Sequence, residues 1–131
     1  MANNLQLFLK NKMADHNELG KKGEQLAIAF LIKNEYKILE KNYRFQKAEV
    51  DIIAQKKDVL AVVEVKTRST TYFGNPQDFV NPKKIKLLLS AIDNYVVEKD
   101  LDVEVRFDII AIIHQKKETK IEHLEDAFLH F

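Results

Sequence analysis

Residues 48–66 (AEVDIIAQKKDVLAVVEVK) constrain the fold more than any other stretch of this chain. They read as two apolar strands joined by a short polar turn, each interrupted by charge. Charged groups inside apolar strands are costly to bury unless they are paired, bind a metal ion or face a cleft. With Lys56 and Lys57 as a two-residue turn, Gln55 lies opposite Asp58, Asp51 opposite Val62 and Glu49 opposite Glu64. Side chains alternate along a strand, so Glu49, Asp51, Glu64 and Lys66 share one face. Asp51 and Glu64 are then diagonal neighbours, roughly 7–8 Å apart at the backbone. A one-residue slip would send the two to opposite faces. The other face carries Val50, Ile52, Ala54, Ala61, Val63 and Val65, while Ile53, Leu60 and Val62 cover the acidic face towards the turn. Apolar residues on both faces predict an α/β sheet rather than an exposed hairpin.

The flanking patterns extend this into a domain. Leu19, Leu26, Ala27, Phe30 and Leu31 recur at helical spacing and predict a helix over about 18–33, with Glu24 on the face of Ala27 and Leu31. A strand over about 36–45 precedes the hairpin, and a polar loop over 67–81 follows it. Asn81 and Pro82 have the chemistry of a helix cap and first position. Ile85, Leu88, Leu89, Ile92 and Val96 form the apolar stripe of that second helix. Residues 103–113 read as a long strand and 120–124 as a short edge strand. The order αβββαβ(β) predicts a mixed β-sheet flanked by helices. Residues 13–131 are expected to form one domain, with 1–12 a loosely held N-terminal extension.

Composition narrows the chemistry. At 131 residues, with 46% apolar and 31% charged residues, the chain suits a single soluble core. The absence of cysteine excludes disulfides, thiolate metal sites and cysteine nucleophiles. No apolar run approaches the ~20 residues of a membrane helix, and the N-terminus lacks a signal-peptide pattern, so a cytoplasmic location is expected. A net charge of only +1 means that nucleic-acid binding would need a local basic patch.

Asp51 followed by Glu64-Val65-Lys66 resembles the PD-(D/E)xK nuclease signature of the restriction-endonuclease-like fold. The ordered set Gly20-Lys21-Lys22-Gly23-Glu24, Asn42-Tyr43-Arg44, Glu49-Val50-Asp51, Val63-Glu64-Val65-Lys66-Thr67-Arg68, Phe73-Gly74-Asn75-Pro76 and Arg106-Phe107-Asp108 resembles the YraN family of small bacterial proteins. That family is in turn similar to archaeal Holliday-junction resolvases. Ala48 stands where the family usually has Gly, and Val50 where restriction enzymes have Pro.

The resemblance implies a metal-dependent endonuclease-like protein acting on branched or structured DNA. Asp51 and Glu64 would hold Mg²⁺ or Mn²⁺, hard ions that suit carboxylate oxygens and keep water and phosphate as further ligands. Lys66 would orient or deprotonate the attacking water or stabilise the transition state. Glu24 would bind through water or hold a second ion; a plainer reading makes it a first-turn acid favoured by the helix dipole. Glu49 is an accessory acid, or the partner of Lys66 or Arg68. The whole constellation also reads as a cross-strand Glu–Lys ion pair at a sheet end. Arg44, Lys47, Arg68, Lys83, Lys84 and Lys86 are candidate phosphate contacts, the last three at a helix N-terminus and outside the acidic cluster. Tyr72 and Phe73 can stack on an exposed base. Gly20-Lys21-Lys22-Gly23 also fits the G-x-x-G loop of KH modules. A second functional class stays open: a nucleic-acid-binding module that keeps the fold without catalysis, or a homodimer that pools two basic faces.

Overall fold

The computed structural model describes residues 4–69, 81–115 and 117–128, with side chains from residue 18 onward. Helix α1 (Asn4–Lys33) leads into strands β1 (Lys37–Phe45), β2 (Ala48–Lys56) and β3 (Val59–Arg68); helix α2 (Pro82–Glu98) then precedes β4 (Glu104–His114) and β5 (Thr119–Leu124). The strands lie in the order β1-β2-β3-β4-β5. Among the described strands only the β3–β4 pair is parallel, joined across α2, and the other neighbours are antiparallel. The predicted mixed α/β order is therefore observed.

Each helix covers one face. Against α1 lie Ile52, Ala54, Ala61, Val63, Ile110 and Ile112, with Ala27 and Leu31 from the helix. Against α2 lie Val50, Ile53, Leu60, Val62 and Ile109, with Leu88, Ala91, Ile92 and Tyr95 from the helix. Leu89, expected in that stripe, is 47% exposed. The seam instead follows Leu88, Ala91, Ile92 and Tyr95, where the small Ala91 lets the helix close onto the sheet.

Helix α1 starts at Asn4, not near Glu18. Residues 4–12 continue the same helix; no Gly or Pro breaks the run between Asn4 and Leu19, and Leu, Lys, Met and Ala favour helix there. The Gly20–Gly23 segment lies inside this helix, so it is not a G-x-x-G loop. Gly23 meets a packing demand: a Cβ there would overlap Thr67 Oγ1, so the glycine lets α1 approach the end of β3.

The hairpin turn is Lys57-Asp58, one residue later than predicted, with Lys56 paired to Val59 and Ile52 to Val63. Lys57 takes φ 55°, and Asp is a favoured turn residue. The Asp58 carbonyl also accepts from the Glu104 amide at 2.7 Å, fixing the tip to β4. Moving the turn by one residue moves the register by two, so the alternation survives. A second departure falls at Asp51. Val50 packs on the α2 side and Ile52 on the α1 side, although strict alternation predicts one face for both. The strand changes phase between them, opposite Asn42 of β1, which has φ 51°. Asn tolerates that left-handed conformation better than most residues.

Candidate active site

The phase change and the end of the β2–β3 ladder coincide. Paired residues run from Lys56–Val59 to Ile52–Val63. At the next position the Val65 amide donates to Asp51 Oδ2 at 2.8 Å, so a side chain replaces the neighbouring strand. The two strands part there, and a cleft opens at the sheet end. Its α2 side is a cavity of about 440 Å³ bordered by Lys47, Glu49, Lys84, Leu87 and Leu88. Its α1 side is one of about 290 Å³ bordered by Leu19, Gly20, Glu24, Lys66, Thr67 and Arg68. Asp51 and Glu64 line both.

Glu64 is nearly buried, at 8% exposure. Its Oε1 accepts from Lys84 Nζ at 2.7 Å and lies 3.4 Å from Lys66 Nζ. Asp51 is compensated less well. Burial, then repulsion from Glu64, push its carboxyl up to about 7, against the pull of the Val65 amide. Glu24 enters from α1. Burial raises its pKa most, a hydrogen bond with Asn42 opposes the rise, and Glu49 and Glu64 add to it. Thus Asn42, left-handed in β1, also holds an acid of the cleft.

The peripheral residues sort differently. Glu49 is at the rim and pairs with Arg44 across β1–β2 at 3.5 Å, rather than with Lys66 or Arg68. Arg68 donates to the Thr67 carbonyl at 2.9 Å. Lys83 and Lys86 are exposed on the first turns of α2, whose cap is Asn81, with Oδ1 accepting from the Lys84 amide at 2.8 Å. Sequence position groups Lys84 with them outside the acidic cluster; it belongs inside. The helix phase explains this, because Lys84 lies four and seven residues before the buried Leu88 and Ala91. That spacing was a signal available in the sequence. Tyr72, Phe73 and the rest of the 73–76 motif lie outside the described residues.

Among the described residues, no three His, Cys, Asp or Glu side chains are grouped to hold an ion by themselves. The donor set suits a metal held by few protein oxygens. Two carboxylates share a cleft, and one carries charge that the neighbouring ammonium groups leave largely uncompensated. Mg²⁺ commonly binds through one or two carboxylates, with water and substrate phosphate completing its shell.

A second charged cluster, missed from sequence, lies on the α1 face. Asp108 is fully buried. It accepts from Arg106 Nε at 2.9 Å and Nη2 at 2.8 Å, from the Asp126 amide at 3.0 Å, and pairs with His123 Nε2 at 2.8 Å. Arg106 Nη2 also donates to Tyr36 Oη at 2.6 Å. Burial alone would raise the Asp108 pKa, but the bonds from His123 and Arg106 hold it below the usual value.

The profile of uncharacterised protein family UPF0102 matches residues 23–112. A UPF0102 protein of Christiangramia forsetii is 66% identical over 119 residues, which is 91% of this chain and 100% of that protein. One of Flavobacterium psychrophilum is 62% identical with the same coverage. One of Phocaeicola vulgatus is 47% identical over 116 residues, 88% of this chain and 96% of its own. The chain therefore belongs to family UPF0102, the YraN family that its motifs resemble.

Proposed function

We propose that this protein is a metal-dependent endonuclease-like enzyme that hydrolyses phosphodiester bonds in branched or structured DNA. One observation carries the reading: Asp51 and Glu64 meet where β2 and β3 part, in an open cleft that also receives Lys66. An undercompensated carboxylate such as Asp51 is costly to keep in a folded chain, and an open cleft gives it access to a cation and a substrate. Asp51 and Glu64 are the residues that would hold Mg²⁺ or Mn²⁺, which supplies Lewis-acid stabilisation of phosphoryl charge and lowers the pKa of bound water. Lys66 orients the attacking water and opposes charge developing on the phosphoryl oxygens. Glu24, held by Asn42, hydrogen-bonds water from the α1 side. Lys83, Lys86, Lys47 and Arg68 bind the flanking phosphates, and a homodimer would join two such surfaces. Among the described residues no helix is long and apolar enough to cross a membrane; a DNA substrate sets the work of the protein in the cytoplasm.

A non-catalytic nucleic-acid-binding module is the second reading. It is favoured by the two ammonium groups that already neutralise Glu64. A panel of fluorescent duplex, flap, fork and four-way-junction DNA, incubated with Mg²⁺ or Mn²⁺, separates the two. Cleavage by the wild type and loss in Asp51→Asn supports the enzyme. Tight junction binding with no cleavage in either metal removes the catalytic reading and leaves the binding module.

A further inference from the structure

Lys84 differs from its neighbours on α2. Lys83 and Lys86 are exposed, whereas the Lys84 side chain is 36% exposed and its ammonium sits 2.7 Å from Glu64 Oε1. Its backbone is fixed independently by the Asn81 cap, so the long side chain can swing without moving the helix. The side chain borders the α2 side of the cleft, the side that Lys47 also lines. Glu64 Oε1 thus already has a cation, and a closer one than Lys66.

We propose that Lys84 is an exchangeable counter-ion: it occupies Glu64 when the cleft is empty and moves to a substrate phosphate when a divalent cation takes the carboxylate. This rests on the metal-site reading above. Only the lysine end of this pair meets water, at 36% exposure against 9% for Glu64; the buried carboxylate needs a cation but not this one, so a divalent ion assisted by phosphate can take over its charge and release the ammonium to solvent or phosphate. The exchange couples the two ligands. Metal frees an ammonium for phosphate, phosphate gives that ammonium a new partner, and each ligand tightens the other by the same factor. Lys84 is therefore a positioning residue that makes metal loading depend on substrate.

The test is a Mn²⁺ titration by calorimetry of the full chain, with and without a short four-way-junction DNA, in wild type, Lys84→Gln, Lys83→Gln and Asp51→Asn. Lys83→Gln removes the same charge from the same helix turn without touching Glu64. In Lys84→Gln, Mn²⁺ alone should bind about tenfold tighter, and the further tightening by DNA should shrink by a similar factor. Lys83→Gln should change Mn²⁺ affinity less than twofold. Melting curves in chelator should show both lysine variants folded, since Glu64 keeps Lys66 at 3.4 Å in Lys84→Gln and Lys83 is exposed. Unchanged or weaker Mn²⁺ binding in Lys84→Gln, or an equal gain in Lys83→Gln, overturns the exchange while leaving an Asp51-dependent metal site in place. Mn²⁺ uptake that is the same in Asp51→Asn, or absent from every protein, overturns both the exchange and the metal site beneath it.

Discussion

Asp51 and Asp108 are both aspartates taken from water into one small sheet, and they are treated in opposite ways. Asp108 is wholly buried and receives Arg106, His123 and the Asp126 amide. Its pKa is held down. Asp51 borders an open cleft, has the Val65 amide, and has another carboxylate nearby. Its pKa rises to about 7. The difference teaches how to tell a charge that is satisfied within the fold from one left open to a ligand. Full compensation closes a site, and a deficit leaves it needing a ligand.

The comparison breaks most readily at its buried end. Asp108→Asn takes the buried ionic partner from Arg106, leaving it the exposed Glu125 at 3.6 Å, and should cost about 3–5 kcal/mol in urea melts at neutral pH. The folded pKa lies below the ordinary 3.8, so this stabilisation is fully present above that value. It fades only as pH falls through the lower folded pKa. A variant as stable as wild type at pH 7 would show the cluster to be dispensable.

The cleft should respond in activity rather than in stability. Asp51→Asn should lower Mg²⁺- or Mn²⁺-supported junction cleavage by about 100- to 1,000-fold, the usual loss of a group that acts on transition-state charge. Its circular dichroism should stay native. Equal cleavage by variant and wild type would remove Asp51 from the chemistry.

The same substitution sharpens the contrast through pH. With metal chelated, the raised carboxyl stabilises the fold fully below the unfolded value of 3.8, and that contribution is lost as pH rises through about 7. Asp51→Asn should therefore gain on wild type between those limits, reaching about 1–3 kcal/mol above pH 7 once solvent access to the cleft is allowed for. Chemical denaturation across pH in chelator measures this. A variant less stable than wild type at pH 8 would favour the ion-pair reading of the cleft.

The smallest effect belongs to the exposed lysines. Lys83→Glu with Lys86→Glu should weaken junction binding several-fold and flatten its dependence on salt, since each phosphate contact contributes about one unit of slope. Fluorescence anisotropy at several salt concentrations would detect it; an unchanged slope would place the phosphate surface elsewhere.

Much of this arrangement was legible in the sequence, because it depends on local chemistry. Apolar alternation and the Asn81-Pro82 cap located the elements, and the hairpin kept its faces because its register moved by two. The phase change at Asp51 was not legible, since Val50 and Ile52 are equally apolar and it coincides with a left-handed Asn42 on another strand. Lys84 was hidden among similar lysines, although its distance from Leu88 and Ala91 marked it. The Asp108 cluster offered a local sign, Arg106 and Asp108 two residues apart at the start of an apolar run. Its other members, Tyr36 and His123, are brought in only by the tertiary fold.

The single parallel strand pair also dictates an order of assembly. β1, β2 and β3 form a meander with short turns, whereas β3 can meet β4 only after the chain has closed a long loop through α2. Loop-closure entropy makes the local pairings the cheaper first step. The acidic half of the cleft, on β2 and β3, is then built before Lys84 arrives on α2 to neutralise it, and before Asp108 gains its distant partners His123 and the Asp126 amide. Pulse-labelled hydrogen exchange during refolding should protect β2 and β3 amides ahead of those in β4, and simultaneous protection would contradict this order. On this pathway the chain must tolerate an exposed cluster of like charges while it folds, so millimolar Mg²⁺ present during refolding would act on an intermediate as well as on the finished protein.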